Sequence, residues 1–500
     1  MGLMRFDVRC PERIADEKLS RVYIAAPDDL PYYGRAYFSE DKRLHVERRE
    51  SASGALCVPW LLDEHGPWMI STTTLMERER PYQLEVELAR GLVYQVRNQL
   101  ASWELLGLVA PDDLKTLIAE ATAAFSRAAV MQVDPPAAVS KALEALSLAA
   151  AASLRLAECY AEQALKFRCL GNAKLPTLLG VHLNKLPSTP AAEAAVGGAF
   201  TLLSTPCSWN DVEPTESKRQ WGKIDQAIKL AQQNRQRVSL GPLLQFSEGG
   251  IPEWAYLFEG DVPMISSLML SHVEACVERY RGRVNLWNIA SRVNRSRVLE
   301  VSDEQRLQLV ARAVRRVREL DPQTPVTVCF DQPWSEALAV EASDLAAIDF
   351  ADALDRADLG IAGYGIEFNM AYTPRGATPR SPLAFSRMLD AWWTRLESPL
   401  LVLLTLPSSP EAPPECRTKI MAADSKVIDP KKIYSPESQA EWLRNYLPVM
   451  LAKNCVQVVV WNQLQDGGVG TIPGAGLLDA QGKPKPALGV LRSMRADYMG

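Results

Sequence analysis

Val326-Thr327-Val328-Cys329-Phe330, followed after a mixed stretch by Leu359-Gly360-Ile361-Ala362-Gly363-Tyr364-Gly365-Ile366, is the passage whose reading decides the fold. Both runs are apolar almost without interruption, as a strand must be when other elements cover both of its faces. Between them apolar residues fall three and four apart, the spacing of a helix that packs along one side. Strand, covering helix and parallel strand make a βαβ unit, and the alternation continues in both directions. Upstream, strand-like runs stand at 178–182, 200–204, 238–244 and 284–288; downstream they stand at 400–404 and 456–461. Together they make the series of eight that a closed (β/α)8 barrel, a TIM barrel of the α/β class, requires, and 171–500 is long enough to hold it.

The preceding residues have a different texture. Within 1–80, short β-prone runs at 21–24, 34–38, 44–47, 54–58 and 68–72 alternate with turn residues, which predicts a small β-sandwich-like module. By fold-level analogy such a module beside a barrel is carbohydrate-binding-like. Within 81–170 the spacing is helical, broken at Ala110-Pro111-Asp112-Asp113 and at Asp134-Pro135-Pro136, which predicts a helical segment packing on the barrel. Lys141, Glu144, Arg155 and Glu158 interrupt its Ala/Leu-rich run, so a packed helix is expected there rather than a membrane span.

A net charge of -5 offers no basic field, so nucleic acid is not an expected partner. The N-terminus carries no apolar segment behind its basic residues, and a cytoplasmic chain without a membrane partner is expected. The nine cysteines form no CxxC pair, and the four histidines (His45, His65, His182, His272) are not spaced as ligands. Neither a metal nor another cofactor is expected, and the cysteines read as reduced thiols. Protein partners are left open, and a further, weaker reading is a purely structural partner for another protein, with the N-terminal half as the interface.

Chemistry in such barrels gathers at the carboxyl ends of the strands. Those ends supply Trp209, Asp211 and Glu213 after the second strand, Gln245 and then Trp254 after the third, and Arg292 and Asn294 after the fourth. Asp331 and Trp334 follow the fifth, Glu367, Asn369 and Tyr372 the sixth, Thr405 the seventh, and Trp461 and Asp466 the eighth; Trp287 and Tyr364 lie on the strands themselves. Rings beside amides and carboxylates suit a sugar, whose faces are apolar C–H and whose edges are hydroxyls. The same rings also serve to fill a barrel.

The run Ser208-Trp209-Asn210-Asp211-Val212-Glu213-Pro214-Thr215-Glu216, with Trp221 and Asp225-Gln226-Ala227-Ile228 behind it, resembles the segment after the second strand of glycoside hydrolase family 10, the xylanase family. Ile251-Pro252-Glu253-Trp254 is similar to its third-strand segment, Tyr280-Arg281-Gly282-Arg283-Val284-Asn285-Leu286-Trp287-Asn288-Ile289-Ala290 to its fourth, and Gly476–Leu488 to its close, so the resemblance spans about 171–495. It implies a barrel that holds a β-linked saccharide and hydrolyses it with one glutamate after the fourth strand and another ending the seventh. Here the matching positions are Ser291 and Arg292, and Thr405 or Leu406. The family's third-strand histidine is matched by Pro242, and its sixth-strand glutamine and histidine by Glu367 and Asn369.

Glycoside hydrolysis needs two carboxyls, about 5–5.5 Å apart for retention or about 6.5–9.5 Å for inversion. Arginine cannot be the acid, with a pKa above about 12. Glu367 is therefore the first catalytic candidate, with Asp331 as its companion. The alternative for Glu367 is an ion pair with Arg292 that fixes both without chemistry. Arg292 reads either as that partner or as a bidentate contact for an acidic sugar, with Arg295, Arg297 and Arg375 nearby in sequence. The expected function is glycoside hydrolysis of a β-linked oligo- or polysaccharide fragment through non-standard carboxylates; the alternative is a catalytically inactive carbohydrate-binding or scaffolding protein.

Overall fold

The computed structural model describes residues 2–16, 18–247, 249–295, 298–341, 345–373, 376–412, 418–467 and 472–499. The barrel strands are Leu178–His182, Leu202–Thr205, Arg237–Leu240 with its continuation Leu244–Gln245, Leu286–Ser291, Val326–Asp331, Gly363–Asn369, Leu400–Thr405 and Val456–Trp461. They run in chain order around one parallel sheet, and Val458–Trp461 pair back onto Leu178–Val181, which closes the cylinder. The break in the third strand lies at Gly241-Pro242. Gly241 has φ +130°, and a Cβ there would sit 2.1 Å from the Asn288 carbonyl oxygen, so the approach of the fourth strand leaves room only for glycine.

Five of the described barrel helices start alike. The side chains of Thr189, Asp261, Ser302, Ser381 and Ser435 each accept a backbone N–H two to three residues into the helix that follows, and all but Ser302 stand before a proline in the first turn. These caps satisfy otherwise orphaned donors and end those five βα loops abruptly.

Strand alternation sorts the core into two layers. Leu202, Cys329, Leu401, Leu403, Val458 and Val460 form a cluster inside the cylinder. The residues between them, among them Phe330, Tyr364, Ile366, Phe368, Val402 and Leu404, join the core between strands and helices.

Ahead of the barrel lie two small sheets. One orders Gly34–Phe38, Leu44–Arg48, Gly2–Asp7 and Tyr82–Gln83; the other orders Tyr23–Ala25, Gly54–Leu62 and Gly66–Leu75. Strand Gly2–Asp7 is not among the runs expected from sequence, although its burial alternates strictly and Met4 and Phe6 point inward. Helices α1 (Leu84–Leu105), α2 (Asp112–Val130) and α3 (Pro135–Arg168) share the sheets' core through Leu88, Ala124, Ala142 and Ala149. Farther along, α1 to α3 close a second core with Leu383 and Val449 of two barrel helices. Among the described residues α3 alone is long and apolar enough to cross a membrane. Its alanines lie against α1 and α2, where small side chains let helices approach closely.

Candidate functional site at the barrel mouth

In the sixth strand Gly365, Glu367 and Asn369 take the inward positions, since Tyr364, Ile366 and Phe368 occupy the outer core. Two glycines below a glutamate leave the lower cylinder to its neighbours: a Cβ on Gly365 would lie 2.1 Å from the Cys329 sulfur. Glu367 is in register with Asp331 on the fifth strand and Asn369 with Thr405 on the seventh, at an interstrand spacing of about 4.8 Å.

The polar groups are joined. Arg292 Nε donates to Glu367 Oε2 at 3.2 Å, Asn369 Nδ2 donates to the same oxygen at 3.3 Å, and Thr405 Oγ1 donates to Asn369 Oδ1 at 2.6 Å. Arg292 stands just past the fourth strand with φ +57°, in the left-handed region, and its N–H bonds the Cys329 carbonyl. The charge of Glu367, with that of Asp331, holds the Arg292 guanidinium above its ordinary pKa against the cost of its enclosure. Asp331 is pinned by Asn294, which donates to its carbonyl at 2.8 Å and accepts its N–H at 3.1 Å. Across the mouth, His182 Nδ1 and Ser204 Oγ lie 3.0 Å apart. Enclosure pushes His182 down to about 4, outweighing Asp211 and Glu367, so the imidazole is neutral near pH 7. His182 and Ser204 were not among the residues singled out from the sequence; their signal was a polar residue on the inward parity at a strand end.

Other candidates serve the loops. Asp211 closes a capping box with Ser208, and Glu213 accepts the Ser217 N–H at 2.7 Å while its carbonyl accepts from Trp254 Nε1 at 3.0 Å. Trp209 is buried edge-on against Trp254. Gln245 donates to Ser247. Asp466 pairs with Lys485, which also donates to Ser408. Tyr372 is buried with its hydroxyl on the Pro473 carbonyl, and Trp334 lies under Arg380 and against Phe368.

Two tryptophans expected at the rim are elsewhere. Trp287 and Trp461 occupy outward positions of their strands, in the core under the helices. Trp287 Nε1 donates to Asp321, which caps the end of helix Asp303–Leu320 at the amino end of the barrel, opposite the mouth. Trp461 Nε1 donates to the Ala475 carbonyl. Strand period two decides this: one step along the chain reverses the face. Tyr364 is likewise outward, bonded to Asp355. Arg297, Arg375 and the side chain of Arg295 lie outside the described residues.

No protein-family model matches the chain. Among curated proteins, it is similar to endo-1,4-beta-xylanase 3 of Hypocrea jecorina, 26% identical over 118 residues, 23% of this chain and 33% of that protein. It is also similar to endo-1,4-beta-xylanase B of Humicola insolens, 28% identical over 87 residues, 17% of this chain and 24% of the other. The matched stretch thus spans about a third of the first relative's length. Among solved structures, xylanase 10B of Thermotoga maritima has a TM-score of 0.49 at 15% identity, covering 67% of this chain and 96% of that one. Intracellular xylanase TsXylA of Thermoanaerobacterium saccharolyticum, solved as a mutant in complex with xylotriose, has 0.47 at 14%, covering 63% and 95%. The resemblance to family 10 drawn from the sequence motifs is met by the curated matches, which are xylanases.

Proposed function

We propose that this chain is a carbohydrate-active protein that takes a β-linked saccharide at the barrel mouth and holds it without the double displacement of family 10. One observation carries the reading. Arg292, Glu367, Asn369 and Thr405 form a continuous hydrogen-bonded chain across the fourth, sixth and seventh strands, at the places where the resemblance calls for the reacting glutamates. A guanidinium stands at the acid's place, a hydroxyl at the nucleophile's, and the mouth glutamate is engaged by two donors. Arg292, Asn294, Gln245 and His182 keep partial exposure and supply donors and acceptors for sugar hydroxyls.

A second reading, hydrolysis through Glu367 and Asp331, is favoured by their register. Side chains at paired positions of adjacent strands start about 4.8 Å apart, near the separation that retention requires. Calorimetry with linear β-1,4-linked xylo- and gluco-oligosaccharides, with reducing ends counted in the same samples, decides between them. Saturable heat with no new reducing ends is the expected result. New reducing ends that vanish in Glu367→Gln would establish the second reading, and the absence of heat with every saccharide would overturn the first. The division into 1–80, 81–170 and 171–500 is part of the proposal, to be checked by where limited proteolysis cuts.

A further inference from the structure

The N-terminal module does not hang beside the barrel; it sits on the loops at the barrel's carboxyl end. Arg21 Nη1 pairs with Glu336 of the fifth loop at 3.3 Å, and its Nη2 donates to the Tyr372 and Gly376 carbonyls of the sixth at 3.0 Å each. Arg380, also of the sixth loop, pairs with Glu336 and donates to the Tyr23 hydroxyl at 3.1 Å. Met69 N–H donates to the Pro379 carbonyl at 2.7 Å. Contact extends past the sixth loop: Ala15 packs on the cluster of Tyr372, Ile420, Tyr434 and Ala475, and Gly66 lies so close to Ile433 that a Cβ would stand 2.6 Å from its Cγ2. The seam therefore runs over the loops after the fifth to eighth strands.

The most exposed polar side chains of the mouth lie away from that seam. On its side Asp331, Glu367, Asn369 and Thr405 are at most 4% exposed. On the other side His182, Gln245 and Asn294 keep partial exposure, and the Arg292 side chain is 24% exposed. The open side of the mouth thus lies over the first four strands, and the N-terminal module stands over the rest. A polysaccharide crossing a barrel mouth needs an exit at both ends. From this we infer that the cleft takes the terminal residues of a saccharide chain and excludes its interior, with the N-terminal module as the wall that stops it. The inference rests on the saccharide reading above.

The test uses the full chain and one linear β-linked polymer, unshortened and shortened by mild acid to a series of mean lengths. Binding capacity per gram is measured by calorimetry or equilibrium dialysis. The expected result is a capacity that doubles when the number of chain ends doubles at constant mass, with short oligosaccharides competing fully. Capacity that tracks polymer mass and ignores the number of ends overturns the wall while leaving the saccharide reading intact. No binding by polymer or oligosaccharides overturns the saccharide reading itself. Hydrogen exchange adds a readout independent of affinity: a terminal oligosaccharide protects amides around Asn294 and Gln245, whereas protection spreading over 376–381 and the module's 66–70 would count against a wall.

Discussion

Glu336 and Glu367 both sit beside arginines at the carboxyl end of the barrel, and their surroundings separate them. Glu336, in the seam, is 4% exposed and meets Arg21, Arg380 and the Thr378 N–H and hydroxyl. Burial pushes its carboxyl up, but Arg380 and Arg21 outweigh that and hold it below the ordinary value of 4.5. Glu367, in the mouth, meets one guanidinium that is itself 24% exposed, and an amide. The seam thus has a carboxylate between two guanidiniums, closed to water, which is a fastening. The mouth leaves donors turned toward solvent, which is what a ligand needs.

The largest expected effect breaks the seam. Glu336→Ala removes the one carboxylate set between two buried guanidiniums and should cost about 3–5 kcal/mol of unfolding free energy, read in urea. An unchanged midpoint would mean that the two regions do not differ in the way described. Acid comes next. The Glu336 contribution is complete above the ordinary glutamate value of 4.5 and is lost as pH falls through its lower folded value. His182 is also depressed, from 6.5 to about 4, so the unfolded chain binds this proton first and stability falls as pH drops through that window. Stability measured against pH in His182→Gln should lose the slope between those values, and in Glu336→Gln the slope below 4.5.

Trp287→Phe removes the bond to Asp321 and should cost about 2 kcal/mol in stability, with no change in saccharide affinity. A loss of affinity would return that ring to the mouth. The smallest stability effect is expected for Glu367→Gln, about 1 kcal/mol or less because solvent screens its partner. Its larger signature is in calorimetry, where the released Arg292 should alter saccharide affinity.

The barrel was legible because strands buried on both faces must be apolar throughout, and the runs from 178 to 461 met that requirement within a few residues of the observed bounds. The mouth was legible in part. Asp331, Glu367 and Asn369 fall on inward parity at strand ends, as expected, whereas Trp287 and Trp461 fall on the opposite parity. A continuous apolar run hides its own parity, since both rows look alike, so an aromatic within it cannot be assigned to a face. Glu336 was invisible as a fastening because its partner Arg21 lies 315 positions away.

Read alone, the chain carries the number of strands and their alternation with helices, both consequences of local composition. Which acid meets which base was settled only on folding. The Arg292 and Glu367 side chains, 75 positions apart, meet because a closed parallel sheet brings the ends of its fourth and sixth strands around one opening. Arg21 reaches the rim only because the small sheets dock there. Ion pairs form through space, and the distances that decide them are set by closure and docking, which no window of sequence contains.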